Sequence, residues 1–313
     1  KKLANTADVF VENFRPGTME KWGIGPDTFK EENPGLIYAR ISGYGQTGPA
    51  ASKAGFASVC EAFGGFRYVN GFPGEVPVRP NISIGDTLAG IHAALGVLLA
   101  YIGRQKSGQG QVVDVAIFEG LFNLLEAVIP EYSGAGIVRE PSGTAITGIV
   151  PTNTHRCKDG KHIVIGANTN SMFKRLAKAM DKPEMGDDSR FAENADRVVN
   201  QKEIETIIES WTLQTNSKEA LEALDVAGVA AGPIYSVKDM FEDEQYHARE
   251  LFQEVSIDGK PLTIPAIIPR LSRTPGKTDF PGSKLGAHNE EVLQNILGYT
   301  EQEIADLKTE KII

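Results

Sequence analysis

From Thr87 to Gly103 the chain carries no Asp, Glu, Lys or Arg, and a single carboxylate, Asp86, heads this run in Ile84-Gly85-Asp86-Thr87-Leu88. A helix without charge on any side is predicted to be buried. Ala89, Gly90, Ala93, Ala94, Gly96 and Ala100 keep its surface thin enough for close packing. Its N-terminus offers unpaired backbone N–H groups and the positive end of the macrodipole, which hold a carboxylate ionised and oriented. Such a group suits a nucleophile. It equally suits a helix cap, the usual role of Asp at this place, and the residues by themselves favour the cap.

The segments around the helix alternate in type. Asp8-Val9-Phe10-Val11, Leu36 to Ser42 and Gln111 to Ala116 read as strands, and Phe56 to Phe63 as a short helix. Strand and helix in turn predict an α/β fold around a parallel sheet. A further apolar helix is expected from about Ile117 to Ile129, followed by a linker, 131–151, rich in Gly, Ser, Thr and Pro. Lys158-Asp159-Gly160-Lys161 then turns into a strand, His162 to Gly166, and helices are expected at about 171–181, 201–212 and 217–227. A short strand near Val229 to Ile234, a hairpin around Asp258-Gly259 and amphipathic helices at 289–297 and 300–309 complete the pattern. The expected organisation is a large domain over 1–130, the linker, a small α+β domain over 152–248, and a return segment over 249–313 whose helices pack on the large domain.

Several function classes fall away. A net charge of −9 and a pI near 5.2 argue against nucleic acid as a partner. Cys60 and Cys157 form no CxxC, which fits free thiols in a reducing compartment, and five histidines without paired spacing predict no metal site. No run is expected to reach the ~18 apolar residues a membrane span needs, and Lys1 to Asn5 lacks the apolar core of a signal peptide, so no membrane association is expected. Gly43-Tyr44-Gly45-Gln46-Thr47-Gly48 matches the letters of a dinucleotide fingerprint, but no amphipathic helix follows Pro49, and the stretch reads as a glycine-rich loop. His92 lies six residues beyond Asp86, on a different helix face, and reads as a core histidine. With no G-x-S-x-G and no Cys beside a base, carboxylate chemistry remains.

Four motifs in register carry a resemblance: Val11-Glu12-Asn13-Phe14-Arg15-Pro16-Gly17-Thr18-Met19, Ser42 to Pro49, Gly85-Asp86, and Lys106 to Val115. Together with Lys158-Asp159-Gly160, Ala231-Gly232-Pro233 and Leu285-Gly286-Ala287-His288, they resemble the class III CoA-transferase family over essentially the whole chain. The resemblance implies a Rossmann-like large domain, a smaller domain and an interlocked homodimer. It also implies about 80 or more further residues ahead of Lys1.

By the same resemblance Asp86 matches the catalytic aspartate, carrying an anhydride and an aspartyl-CoA thioester in turn. Asn13, Phe14, Arg15 and Lys21 match CoA-contact positions, and Lys53, Ala54, Gly55 and Phe56 line the thioester region. Lys21 stands where relatives place an Arg, and a Lys is the weaker bidentate clamp on phosphate. The implied activity is CoA transfer from a succinyl-CoA-like donor to a small carboxylate, with acyl-CoA as substrate and no permanently bound cofactor. Arg40, Arg79 and His155 are candidate partners of the acceptor carboxylate. The family's other chemistry, 2-methylacyl-CoA racemisation, uses a His where this chain has Phe56, which cannot carry a proton. A CoA-binding protein without catalysis is the remaining alternative. The expected compartment is the cytoplasm, or the mitochondrial matrix in a eukaryote.

Overall fold

Three strands, β1 (Val9–Glu12), β2 (Ile37–Ser42) and β3 (Val112–Ala116), pair in parallel in the order β1-β2-β3. The register sets Val9 beside Ile37 and Tyr38 beside Val112. The central strand is buried almost throughout, with Ile37, Tyr38 and Ala39 inaccessible, as a strand covered on both faces should be. This computed structural model describes residues Lys1–Ile313, which form two units, Lys1–Gly232 and Pro233–Ile313.

The long helix Ile84–Ser107 is the crossover between β2 and β3. It lies on the sheet through Ala89, Ala93 and Ala100, all buried, and through Gly96, where a Cβ would stand 2.6 Å from Val113 Cγ1. The expectation that it is buried all round is corrected. Small residues form the packed stripe, and Ile91, Leu95, Leu98, Leu99 and Ile102 on the other side are exposed. The helix is also long and apolar enough to cross a membrane, with a mean hydropathy of 1.4, against the sequence expectation. In this fold its thin side is seated on β-strands instead.

The first unit holds a second sheet, in the order β4 (Thr152–Arg156), β5 (His162–Gly166), β6 (Ala230–Pro233), with β4 and β5 antiparallel across the Lys158–Lys161 turn. Ile163 and Ile165 pack against Phe173, Leu176, Ile204, Ile208 and Leu224 from the surrounding helices. Each such side chain fully removed from water contributes about 2 kcal/mol. The helices expected near 171–181, 201–212 and 217–227 are found at Asn170–Ala179, Gln201–Thr212 and Ser217–Val226. The apolar helix expected over 117–129 is broken into Ile117–Asn123 and Val128–Ala135, so the start of the predicted linker is helical. In the second unit β7 (Phe252–Ile257) and β8 (Lys260–Pro265) form the hairpin expected around Asp258-Gly259, and the helix Glu301–Thr309 follows.

His155 on β4 lies under the helix Gln201–Thr212, its Nε2 3.4 Å from Glu205 Oε2 and otherwise unpartnered. Burial pushes the His155 ring down to about 4 from its ordinary 6.5, and burial pushes the Glu205 carboxyl up. As pH falls through the interval from 6.5 to about 4, the unfolded chain protonates this ring before the folded one does. The stability it contributes above that interval, roughly 3 kcal/mol at most, is lost across it, while Glu205 acts in the opposite sense. A His155→Gln chain is therefore expected to lose less melting temperature between about pH 7 and pH 5 than the unaltered chain. Parallel losses in a thermal melt series would contradict this.

Candidate active site

The crossover geometry brings the start of the long helix to the carboxyl edge of the parallel sheet, where ligands of such sheets bind. Asp86 is the third residue of the helix and Ser83, not Asp86, occupies the cap position. The Asp86 side chain is exposed and takes no hydrogen bond from the protein. A capping carboxylate would bond backbone N–H groups within the first turn. Asp86 does not, and this removes the plain reading of it as a cap. Its carboxylate is left beside the positive end of a helix that runs to Ser107, free to react.

Backbone packing fixes what surrounds it. The loop after β2 and the segment before the short helix Ala57–Phe63 approach so closely that a Cβ on Gly55 would stand 2.8 Å from Gly43 Cα. Gly85, next to Asp86, sits against Ala57 and Ile117, where a Cβ would lie 3.1 Å from Ile117 Cγ2. Cys60 fills the junction: its thiol donates to the Gly43 carbonyl at 3.3 Å. Burial, then the charges of Asp86 and Glu61, push that thiol up, so it stays protonated. Asp86 therefore has no thiolate rival at the junction. The glycine-rich stretch is a loop, as expected, with Gly45 and Gly48 at φ of +83° and +87° and no helix before Ala57. Asp114 on β3 anchors it by accepting from Gln46 N at 3.0 Å.

The matched CoA positions fall into two places. Asn13, Phe14 and Arg15 follow β1 directly, and Lys21 ends the turn of helix Thr18–Lys21. Lys53, Ala54, Gly55 and Phe56 precede the short helix, with Phe56 at its cap position and exposed. Arg15, Lys21 and Lys53 are exposed and have no acidic partner, cations of the kind an anionic ligand can use. Phe14 and the exposed Trp22 meet edge to face at 5.0 Å, an aromatic pair that the sequence reading did not single out.

Three candidates for the acceptor carboxylate fare differently. Arg40 is held by the protein itself: Nε donates to Glu12 Oε1 at 2.8 Å, and its other two nitrogens donate to Glu20 at 2.6 and 3.1 Å. Its side chain is 7% exposed and that of Glu12 2%. Glu12 also accepts from Phe14 N at 2.7 Å, so this ion pair shapes the Asn13–Lys21 loop. Burial opposes the Arg40 charge, but Glu20 and Glu12 outweigh it and raise its pKa, and Arg40 in return holds the Glu20 carboxyl below its usual range. His155 lies under its own helix in the second sheet, as described above. Arg79 belongs with the junction, because its Nε donates to the buried Glu61 at 3.0 Å. Glu61 and Arg67 were missed in the sequence. The available signal was that Glu61 is the only charged residue from Ala54 to Phe66. His92 is half-buried rather than in the core, and its ring is satisfied as expected, Nδ1 donating to the Leu88 carbonyl at 2.8 Å.

The model of CoA-transferase family III matches residues 1–289. A succinyl-CoA–D-citramalate CoA-transferase from Chloroflexus aurantiacus is 45% identical, over all of this chain and 78% of that protein. The human succinyl-CoA:glutarate CoA-transferase is 31% identical, over all of this chain and 72% of its own length. Among solved structures, a CAIB/BAIF family protein from Brucella suis superposes with a TM-score of 0.78 at 32% identity, covering 93% of this chain and 76% of that one. The chain belongs to CoA-transferase family III.

A methyl group at Gly55 would press backbone on backbone at the junction. Gly55→Ala is expected to cost about 1–3 kcal/mol of stability and to slow CoA transfer by roughly ten- to hundredfold through displacement of the loops beside Asp86. Denaturant titration with an acyl-CoA chromatographic assay checks both, and unchanged turnover would contradict the packing argument.

Proposed function

From membership of that family and the geometry of the site, we propose that Asp86 is the nucleophile of a CoA transfer from succinyl-CoA, or a similar acyl-CoA, to a small dicarboxylate. The observation that carries this is the carboxylate at the head of a long helix, at the carboxyl edge of a parallel sheet, left without a hydrogen-bond or ionic partner. Citramalate and glutarate, in the names of the two relatives, are both dicarboxylates, which supports that acceptor class.

In the first step an Asp86 oxygen attacks the thioester carbonyl, the C–S bond breaks, and a mixed anhydride and CoA thiolate result. The thiolate attacks the Asp86 carbonyl and expels the donor's carboxylate, leaving an aspartyl-CoA thioester. The acceptor carboxylate attacks that thioester, forming a new anhydride and releasing the thiolate. The thiolate then attacks the acceptor's acyl carbon and regenerates Asp86. Every bond made replaces one broken, and no proton need be moved. The negative oxygen that develops at each tetrahedral stage calls for N–H donors, each typically worth ~3 kcal/mol, and the first turn of the helix and the Gly43–Gly48 loop are the nearest supply.

Asn13, Phe14, Arg15, Lys21 and the Lys53–Phe56 segment hold the CoA in this reading. Racemisation is disfavoured by Phe56, which stands exposed at the head of the short helix where a proton carrier would be required. The interlocked homodimer is part of the same proposal, and the exposed row Ile91, Leu95, Leu98 and Ile102 is the kind of surface an assembly buries.

Asp86→Asn keeps size and polarity but removes the nucleophile. It is expected to fold normally and to lower turnover by about a thousandfold or more, about 4 kcal/mol in the barrier. Near-normal transfer in an acyl-CoA chromatographic assay would refute the assignment.

A further inference from the structure

We propose that Arg79 recognises the free carboxylate at the far end of the acyl chain, on a succinyl donor and a dicarboxylate acceptor alike, and that Glu61 positions it; this rests on the transferase reading above. Ala57, Cys60 and Glu61 lie at i, i+3 and i+4 on one face of the short helix, and all three are buried. Ala57 on that face touches Gly85, and Cys60 feels the charges of both Asp86 and Glu61. The face therefore bears on the start of the long helix, with Glu61 one residue from the thiol beside the nucleophile.

A carboxylate with no exposed surface survives in the charged form only if it is paired. Glu61 is paired twice, by Arg67 NH2 at 3.3 Å and by Arg79 Nε at 3.0 Å. Both arginines come from the loop 64–83 that joins the two helices, so one buried acid ties down both ends of that loop. Arg67 is further fixed by donating to Ser58 Oγ at 2.7 Å. Two guanidinium groups on one carboxylate leave a positive charge in surplus on the loop that runs into the helix headed by Asp86.

The cluster is also incompletely satisfied. Glu61 Oε1 and Arg67 Nε are buried without a partner, which is rare for polar atoms in a finished structural ion pair. Arg79 commits only its Nε, and its side chain is 40% exposed, against 23% for Arg67 and none for Glu61. Its two terminal nitrogens take no protein partner, and that end of the planar fork matches a carboxylate in two parallel hydrogen bonds. Arg79 thus offers a cation whose near side is locked by Glu61 and whose far side is open. A succinyl or glutaryl chain with its reacting end at Asp86 carries a second carboxylate a few carbons away, and the surplus charge at Arg79 is its complement.

Butyryl-CoA has the carbon count of succinyl-CoA and lacks the carboxylate, so the preference between them isolates the interaction. Binding is measured by calorimetry in the Asp86→Asn chain, where no transfer can follow, with and without Arg79→Gln. The preference for succinyl-CoA over butyryl-CoA is expected to fall about tenfold to a hundredfold. Arg79→Lys keeps the charge without the fork and is expected to recover part of it, and Glu61→Gln, which frees Arg79 to wander, to lose a smaller part. An equal change for both thioesters, or none for either, would overturn the role of Arg79. Failure of the transferase reading would show separately, as no CoA transfer by the unaltered chain, and the binding preference would still decide on Arg79.

Discussion

The site depends on how closely backbone can approach backbone at the carboxyl edge of the parallel sheet. Gly43 against Gly55 leaves no room for a Cβ, which would stand 2.8 Å from backbone, and Gly85 is tight against Ile117 and in contact with Ala57. They draw the loop after β2, the short helix and the first turn of the long helix onto one point. The same device extends down the long helix, where Ala89, Ala93, Gly96 and Ala100 seat it on β2 and β3. The row of small residues that fixes the tilt of this helix also fixes where Asp86 emerges. Close packing transmits any change in volume, so the position of the carboxylate is set by residues that never touch a substrate.

Charge is divided between holding the site and serving it. Arg40 is surrounded by Glu12 and Glu20 and shapes the loop that bears Asn13, Phe14, Arg15 and Lys21. Glu61 collects Arg67 and Arg79 and closes the loop that leads into the long helix. Breaking one partner out of such buried pairs leaves an uncompensated charge, commonly a loss of 3–5 kcal/mol. Arg15, Lys21, Lys53 and Asp86, by contrast, have no ionic partner within the chain. Cys60 remains a thiol because burial and two carboxylates oppose its ionisation. These unpartnered groups are the ones assigned to the proposed chemistry and CoA binding.

Much of this was legible in the sequence, and the failures have physical causes. The three strands of the parallel sheet, β5 and β6 of the second sheet, the long helix and the hairpin at Asp258-Gly259 follow from hydrophobic period and turn residues, which are local signals, whereas β4, Thr152-Asn153-Thr154-His155-Arg156, has no such period. Asp86 stood out because it is the only charge at the head of a neutral helix. Its cap role looked stronger from sequence because only the three-dimensional start of the helix puts Ser83 at the cap. The long helix looked buried all round because composition cannot say which side meets the sheet. Arg40 looked available because its two acids lie 28 and 20 residues away along the chain and are brought to it by parallel pairing and by the turn after β1. Glu61 passed unnoticed for the same reason: both arginines reach it from a loop without periodicity. Burial of charge is a property of topology, and one sequence shows it only as an unexpected lone carboxylate.

The central claim is that the Asp86 carboxylate becomes an acyl carbon during turnover. The most direct test is to mix the protein with succinyl-CoA without acceptor, add hydroxylamine, and map the modified peptide by mass spectrometry. A thioester or anhydride carbonyl reacts with hydroxylamine and a free carboxylate does not. The account predicts a hydroxamate on Asp86, in the segment Ile84-Gly85-Asp86-Thr87, and an adduct of CoA mass on the same residue when hydroxylamine is omitted. A chain that transfers CoA while Asp86 stays unmodified under both conditions would contradict it.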